Sequence, residues 1–162
     1  MRRNGGRLLC AVVLLLIGSA GLLASEIPVG AWVPRWLIET PAEIDAVIQT
    51  AVETGIDTLY VQIVVLGSAL YDSKLLPRCE RLLQKLAAAG IDVAFDPFEY
   101  LLNRSAEHGL RVVPWVNTFL VWRRAGPKPI DPRHVVNAHP EWITYHVSGV
   151  RMGEETEGSP YI

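Results

Sequence analysis

DTLYVQIVV, residues 57–65, is apolar or β-branched at nearly every position. A half-exposed strand alternates apolar with polar residues. An unbroken run like this one suits a strand buried on both faces, as in a parallel sheet. The segments on either side agree. Upstream, TPAEIDAVIQTAVETG (residues 40–55) opens on Thr40 as a helix cap, with Pro41 at the first helical position. Glu43 follows the threonine by three residues, the spacing of a capping box. Ile44, Val47, Ile48 and Val52 recur at helical spacing, and Gly55 ends the helix. VGAWVPR (residues 29–35) reads as a first, short strand stopped by Pro34. Downstream, CERLLQKLAAAG (79–90) is a short helix. DPFEYLLNRSAEHG (96–109) is another helix, capped by Asp96 with Pro97 in its first turn, and LRVVPWVNTF (110–119) is the next strand. IDVAF (91–95) fits a loop or an extra strand. Past Val121 the chain is rich in Pro, Gly and charge. There DPRHVVNAHPEW (131–142) holds one or two helical turns, and the tail beyond Ser148 reads as loop.

Strand, helix, strand, helix, strand predicts right-handed βαβ units and a parallel sheet. Only three strong strands are present, whereas an eightfold βα barrel takes about 250 residues. Residues 26–162 therefore suit the front part of a larger α/β fold, and a truncated or partial chain is expected.

The first 25 residues have the layout of a secretory leader. MRRNGGR is basic, and LLCAVVLLLIGSAGLLA is apolar and shorter than the about 20 residues of a spanning helix. Small residues follow at Ala24 and Ser25, with a leucine at position −3 for cleavage after either. Cleavage and an uncleaved anchor are both compatible with that, so any membrane contact would come only through this segment. Removing Arg2, Arg3 and Arg7 with the leader leaves 12 Lys and Arg against 17 Asp and Glu. That mildly acidic balance argues against a nucleic-acid partner. Cys79 is then the only cysteine, which excludes an internal disulfide. The expected location is exported: periplasm, cell envelope or outside the cell.

In parallel α/β folds, ligands bind at the carboxyl ends of the strands. The first strand brings Trp32, Arg35 and Trp36 there. The second brings Gln62 and runs into Gly67, Ser68, Tyr71 and Ser73. The third delivers Trp115, Asn117 and Trp122. Indole faces cover the apolar C–H faces of sugar rings, while guanidinium and amide groups bond the hydroxyls. Each residue also has a plainer role open to it. Trp32 and Trp115 could fill the interior of a barrel or pack under helices, Tyr71 could anchor its loop, and Asn117 could cap a turn. Gln62 in an apolar strand costs free energy unless it is hydrogen-bonded, which favours a polar cleft. His108, His134, His139 and His146 have no metal spacing and default to surface or capping roles. No phosphate loop, nucleophile elbow or zinc-protease motif is present. Glycosidases need two carboxyl groups flanking the bond. Asp72 and Asp131 stand in loops at a suitable end, but no convincing pair assembles, so the catalytic residues stay unassigned. No cofactor and no metal site is expected.

GAWVPRW (30–36), YVQIVVLGSALYDSKLLP (60–77), FDPFEYLLNRSAEHGLRVVPWVNTF (95–119) and DPRHVVNAHPEW (131–142), in that order, resemble the glycosyl hydrolase-like 10 family of bacterial envelope proteins. The resemblance spans residues 29–162. It implies a (β/α)8 TIM barrel, of which this chain would hold roughly the first three βα units, and a glycoside hydrolase acting on a polysaccharide, in some members peptidoglycan-derived glycan. Matching positions are Trp32, Gln62, Ala69, Leu70, Tyr71, Ser73, Trp115, Asn117 and His139 to Trp142. It also implies that residues 78–95 form a loop after the second strand. Val64 stands where the family often has arginine, and Val113 where it often has histidine, so substrate detail does not carry over. The acidic residues of such barrels lie on later strands. The segment is thus expected to supply binding walls, namely Trp32, Arg35, Gln62, Tyr71, Trp115 and Asn117, and to be inactive alone. The alternative is a non-catalytic envelope protein that binds glycan. A sugar isomerase barrel is weaker, since it would place metal-ligating His and Glu at strand ends.

Overall fold

The computed structural model describes residues 27–123 and 127–152; the segment expected to be a leader and the last ten residues lie outside the described residues. β1 (Gly30–Val33) leads through a 3-10 turn (Arg35–Leu37) into α1 (Pro41–Thr54). β2 (Thr58–Val65) follows, then β3 (Ser68–Ala69), α2 (Glu80–Ala88), α3 (Pro97–Glu107) and β4 (Arg111–Val116). α4 (Val135–Ala138) and a second 3-10 turn (Pro140–Trp142) close the described chain.

β2 lies between β1 and β4 and runs parallel to both, with Tyr60 opposite Trp32 and Val113, and Gln62 opposite Trp115. Both crossovers step the same way along the sheet, and right-handed connections then put their helices on one face. Accordingly, α1 and α3 touch each other: Tyr100 Oη and Arg104 Nε bond the Asp45 carboxylate at 3.2 and 3.1 Å. Ala31, Val33 and Leu59 face α1, beside Val47 and Ala51. Ile38, Ile44, Ile48, Leu59, Val61, Leu82, Leu86 and Leu101 fill the space between sheet and helices. Full burial of each such side chain contributes about 1.5–3 kcal/mol.

The sheet is mixed rather than purely parallel. β3 turns back and pairs antiparallel with the end of β2, on the side that β1 vacates after Val33. Sequence periodicity does not reveal a two-residue strand. Nor are residues 78–95 all loop. α2 occupies Glu80–Ala88 because Leu82 and Leu86, one turn apart, are both fully buried, whereas residues 91–95 do form a loop.

α1 begins as its sequence requires. Thr40 Oγ1 accepts from Glu43 N at 3.4 Å, and Glu43 Oε2 accepts from Thr40 N at 3.1 Å. Burial pushes the Glu43 carboxyl up, but bonds from Lys85 and Thr40 and the Lys85 charge outweigh it and hold the group below the usual glutamate range. Lys85 Nζ bridges Glu43 at 2.6 Å and fully buried Glu39 at 2.9 Å, so the start of α1 and the middle of α2 are tied together. Thr40→Ala is expected to cost about 1 kcal/mol. That lowers the melting temperature by several degrees, which a calorimetric scan would read.

Candidate functional site

The face of the sheet away from the helices carries Trp32, Tyr60 and Trp115. Trp32 stacks on Tyr60, with centroids 5.0 Å apart and planes at 28°, and meets Trp115 edge-on at 5.1 Å. Trp32 is 65% exposed, with no described helix packed over it. Gln62, two residues beyond Tyr60, shares this face by strand periodicity. It is 5% exposed, and its Oε1 accepts from Arg35 N at 3.4 Å. The polar partner that a glutamine in an apolar strand requires is therefore the backbone of the β1–α1 turn. That bond also fixes where the Arg35 side chain leaves the chain. Its guanidinium sits 5.8 Å over the Trp36 ring.

The other two expected wall residues stand apart. Asn117 follows β4, where its N–H donates to Val64 O at 3.2 Å, extending the β2–β4 ladder by one bond. Tyr71 packs tilted against Phe98 of α3 at 6.1 Å and borders the main core. The structure thus joins Trp32, Gln62, Trp115 and the Arg35 backbone in one place, and sets Tyr71 against a helix. Tyr60 was missed by sequence reasoning. It could have been found, because positions 58, 60 and 62 of a strand share one face.

The loop between β2 and α2 has a structural purpose that its composition only hinted at. Leu66 and Gly67 form the two-residue turn into β3, both with positive φ (49° and 68°), the geometry that suits strand twist in tight hairpins. His134 locks this turn. It is 1% exposed, accepts from Val136 N at Nδ1 (3.3 Å), and so carries its proton on Nε2, which donates to Leu66 O at 2.7 Å. His134 is a cap, as expected, but a buried one. Through it the second, smaller core (Val136 and Ile143, with Val121, Trp122 and Met152) is fastened to the tip of β2.

The carboxylates of Asp96 and Asp131 have structural partners. Asp96 Oδ1 caps α3 through Phe98 N and Glu99 N, and its Oδ2 accepts from Asp72 N at 2.7 Å. Asp131 pairs with Arg133 at 2.9 Å, and that bonding holds its carboxyl below the usual range, the wrong direction for a general acid. Among the described residues no three His, Cys, Asp or Glu side chains cluster as a metal site. Nor is any described helix long and apolar enough to cross a membrane.

The chain is 29% identical over 98 residues to glycosyl hydrolase DigH of Escherichia coli K12, a match covering 55% of this chain. DigH of Shigella flexneri matches to the same extent. The matched part spans 22% of the length of these curated relatives. The family model for glycosyl hydrolase-like 10 matches residues 31–160, and the chain belongs to that family.

Proposed function

We propose that this chain is the N-terminal part of an exported glycoside hydrolase with a (β/α)8 barrel, acting on a polysaccharide such as peptidoglycan-derived glycan. The observation that carries the reading is the ring row of exposed Trp32 with half-buried Tyr60 and Trp115, beside Gln62 on the helix-free face. In a barrel that face is the inside, and its carboxyl end is where ligands sit. Family membership supports hydrolase chemistry and a carbohydrate ligand. The whole enzyme would cleave a glycosidic bond between two carboxyl groups. In this segment Trp32 and Trp115 hold sugar rings, and Gln62 and Arg35 bond hydroxyls.

A second reading, a glycan-binding envelope protein without turnover, is favoured by the structural engagement of Asp96 and Asp131 described above. One experiment addresses both. The purified 162-residue chain is incubated with peptidoglycan glycan strands, and bound protein and released reducing ends are measured. Binding without release is the expected result. Release would mean that the segment carries its own acid and base, and lack of binding would remove the glycan from either reading.

A further inference from the structure

Gln62 stands on the helix-free face beside the aromatic row. Pairing of β2 with β4 sets it opposite Trp115, and Tyr60, two residues before it, is opposite Trp32. Neighbouring strands lie about 4.8 Å apart, so the glutamine amide and the Trp115 ring share one patch of the wall. The amide has a fixed sense. Arg35 N carries a proton, so the atom that it meets at 3.4 Å is the oxygen Oε1. Nε2 is then the free end, with two N–H groups and no hydrogen-bond partner among the described residues. The side chain is only 5% exposed, and a buried donor left unmet is costly. The neighbouring indoles of Trp32 and Trp115 also donate and do not accept, which leaves Tyr60 Oη as the one side-chain acceptor in the row.

We propose that Gln62 is a specificity-determining residue of this wall, selecting an N-acetylated sugar by donating to the acetamido carbonyl. The inference rests on the glycan-binding reading above and adds to the hydroxyl contact of Gln62 a partner that distinguishes one sugar from another. A hydroxyl that accepts from Nε2 still has to place its own proton, and the row offers a single acceptor for it. An acetamido carbonyl oxygen accepts and carries no proton, so it takes the second N–H without that difficulty. It is also neutral, as is the amide that meets it. A sugar ring lying on Trp115 holds its substituents beside Gln62, because the two residues are cross-strand partners. The bond from Arg35 N keeps the amide from turning its oxygen toward the sugar, which is the positioning that the selection needs.

The test uses the full chain and two neutral probes: the β-1,4-linked tetrasaccharide of N-acetylglucosamine, and cellotetraose, which has a hydroxyl in place of each acetamido group. Calorimetric titration is expected to give at least about tenfold tighter binding of the N-acetylated form, because a buried donor meets its acceptor only there. Gln62→Glu keeps an oxygen for Arg35 N and, as a carboxylate, has no N–H to give. Gln62→Met has neither. In both variants the ratio should fall to near one or below, whatever happens to absolute affinity. A purely structural role, holding the turn after β1, would leave the ratio of Gln62→Glu unchanged, and that result overturns the proposal. Equal binding of the two probes by the wild-type chain overturns the selection and leaves the glycan reading standing. Binding of neither probe overturns both. Should neither variant fold by near-ultraviolet circular dichroism, the wild-type chain still decides. The Gln62 side-chain amide signals in a nitrogen-15 NMR spectrum should move further with the N-acetylated probe than with cellotetraose. Equal shifts, or none, would overturn the assignment to Gln62.

Discussion

Trp32→Ala should weaken binding of a neutral N-acetylglucosamine oligosaccharide roughly thirtyfold, about 2 kcal/mol, the loss typical of removing a central aromatic anchor. The indole is 65% exposed, so little buried area is lost with it. Its ring contacts with Tyr60 and Trp115 contribute about 0.5–1.5 kcal/mol each at most. Affinity should therefore fall much further than the melting temperature. Trp142 serves as the control. It is 64% exposed, but stacks on His139 at 3.8 Å in the C-terminal segment, away from the sheet face. Trp142→Ala should leave oligosaccharide affinity unchanged. Isothermal titration of the two variants checks the pair. Equal losses would make the effect one of general aromatic exposure rather than of a built wall.

Gly67→Ala should cost about 3 kcal/mol, a large part of the 5–15 kcal/mol that holds a typical domain together. Two effects add. The residue has a φ of +68°, which costs an L side chain about 1 kcal/mol. Its new Cβ would also lie 2.6 Å from His134 Nε2, so the ring must move and its bond to Leu66 O is lost. A buried group left unpaired costs about 1–3 kcal/mol. Gly109 separates the two effects, because its φ is also +68° and nothing lies within 4 Å of its would-be Cβ. Gly109→Ala should therefore show only the backbone cost. Urea denaturation of both variants reads the difference, which should be about 2 kcal/mol. Equal costs would mean that His134 does not lock the hairpin.

Much of the scaffold was legible because it obeys local rules. Thr40, Pro41, Glu43 and Gly55 mark the ends of α1, and the capping box is present. Asp96 and Pro97 open α3 in the same manner. β2 was identifiable from its uninterrupted apolar run, since burial on both edges and one packed face leaves few positions for polar residues. What stayed hidden depends on partners far along the chain. β3 is two residues long, and His134 reaches the turn before it, at Leu66, across 68 positions of sequence. Glu39 is fully buried only because Arg81 and Lys85 arrive from α2, which no pattern around residue 39 announces. Within the candidate site, Gln62 was readable as a misfit in an apolar strand. Tyr60 passed for one more apolar strand residue until pairing put it opposite Trp32. Tyr71, read from composition as a possible wall residue, proves to be packed on Phe98, because the hairpin turns the loop toward α3.

The central claim is that the helix-free face of the sheet is a sugar-holding wall. The chain has five tryptophans, and each gives one indole N–H signal in a nitrogen-15 NMR spectrum. Titration with a neutral N-acetylglucosamine oligosaccharide should shift the Trp32 and Trp115 signals together, along one saturation curve, and leave Trp142 in place. Shifts confined to Trp142, or Trp32 and Trp115 signals unmoved at saturating ligand, would contradict the account.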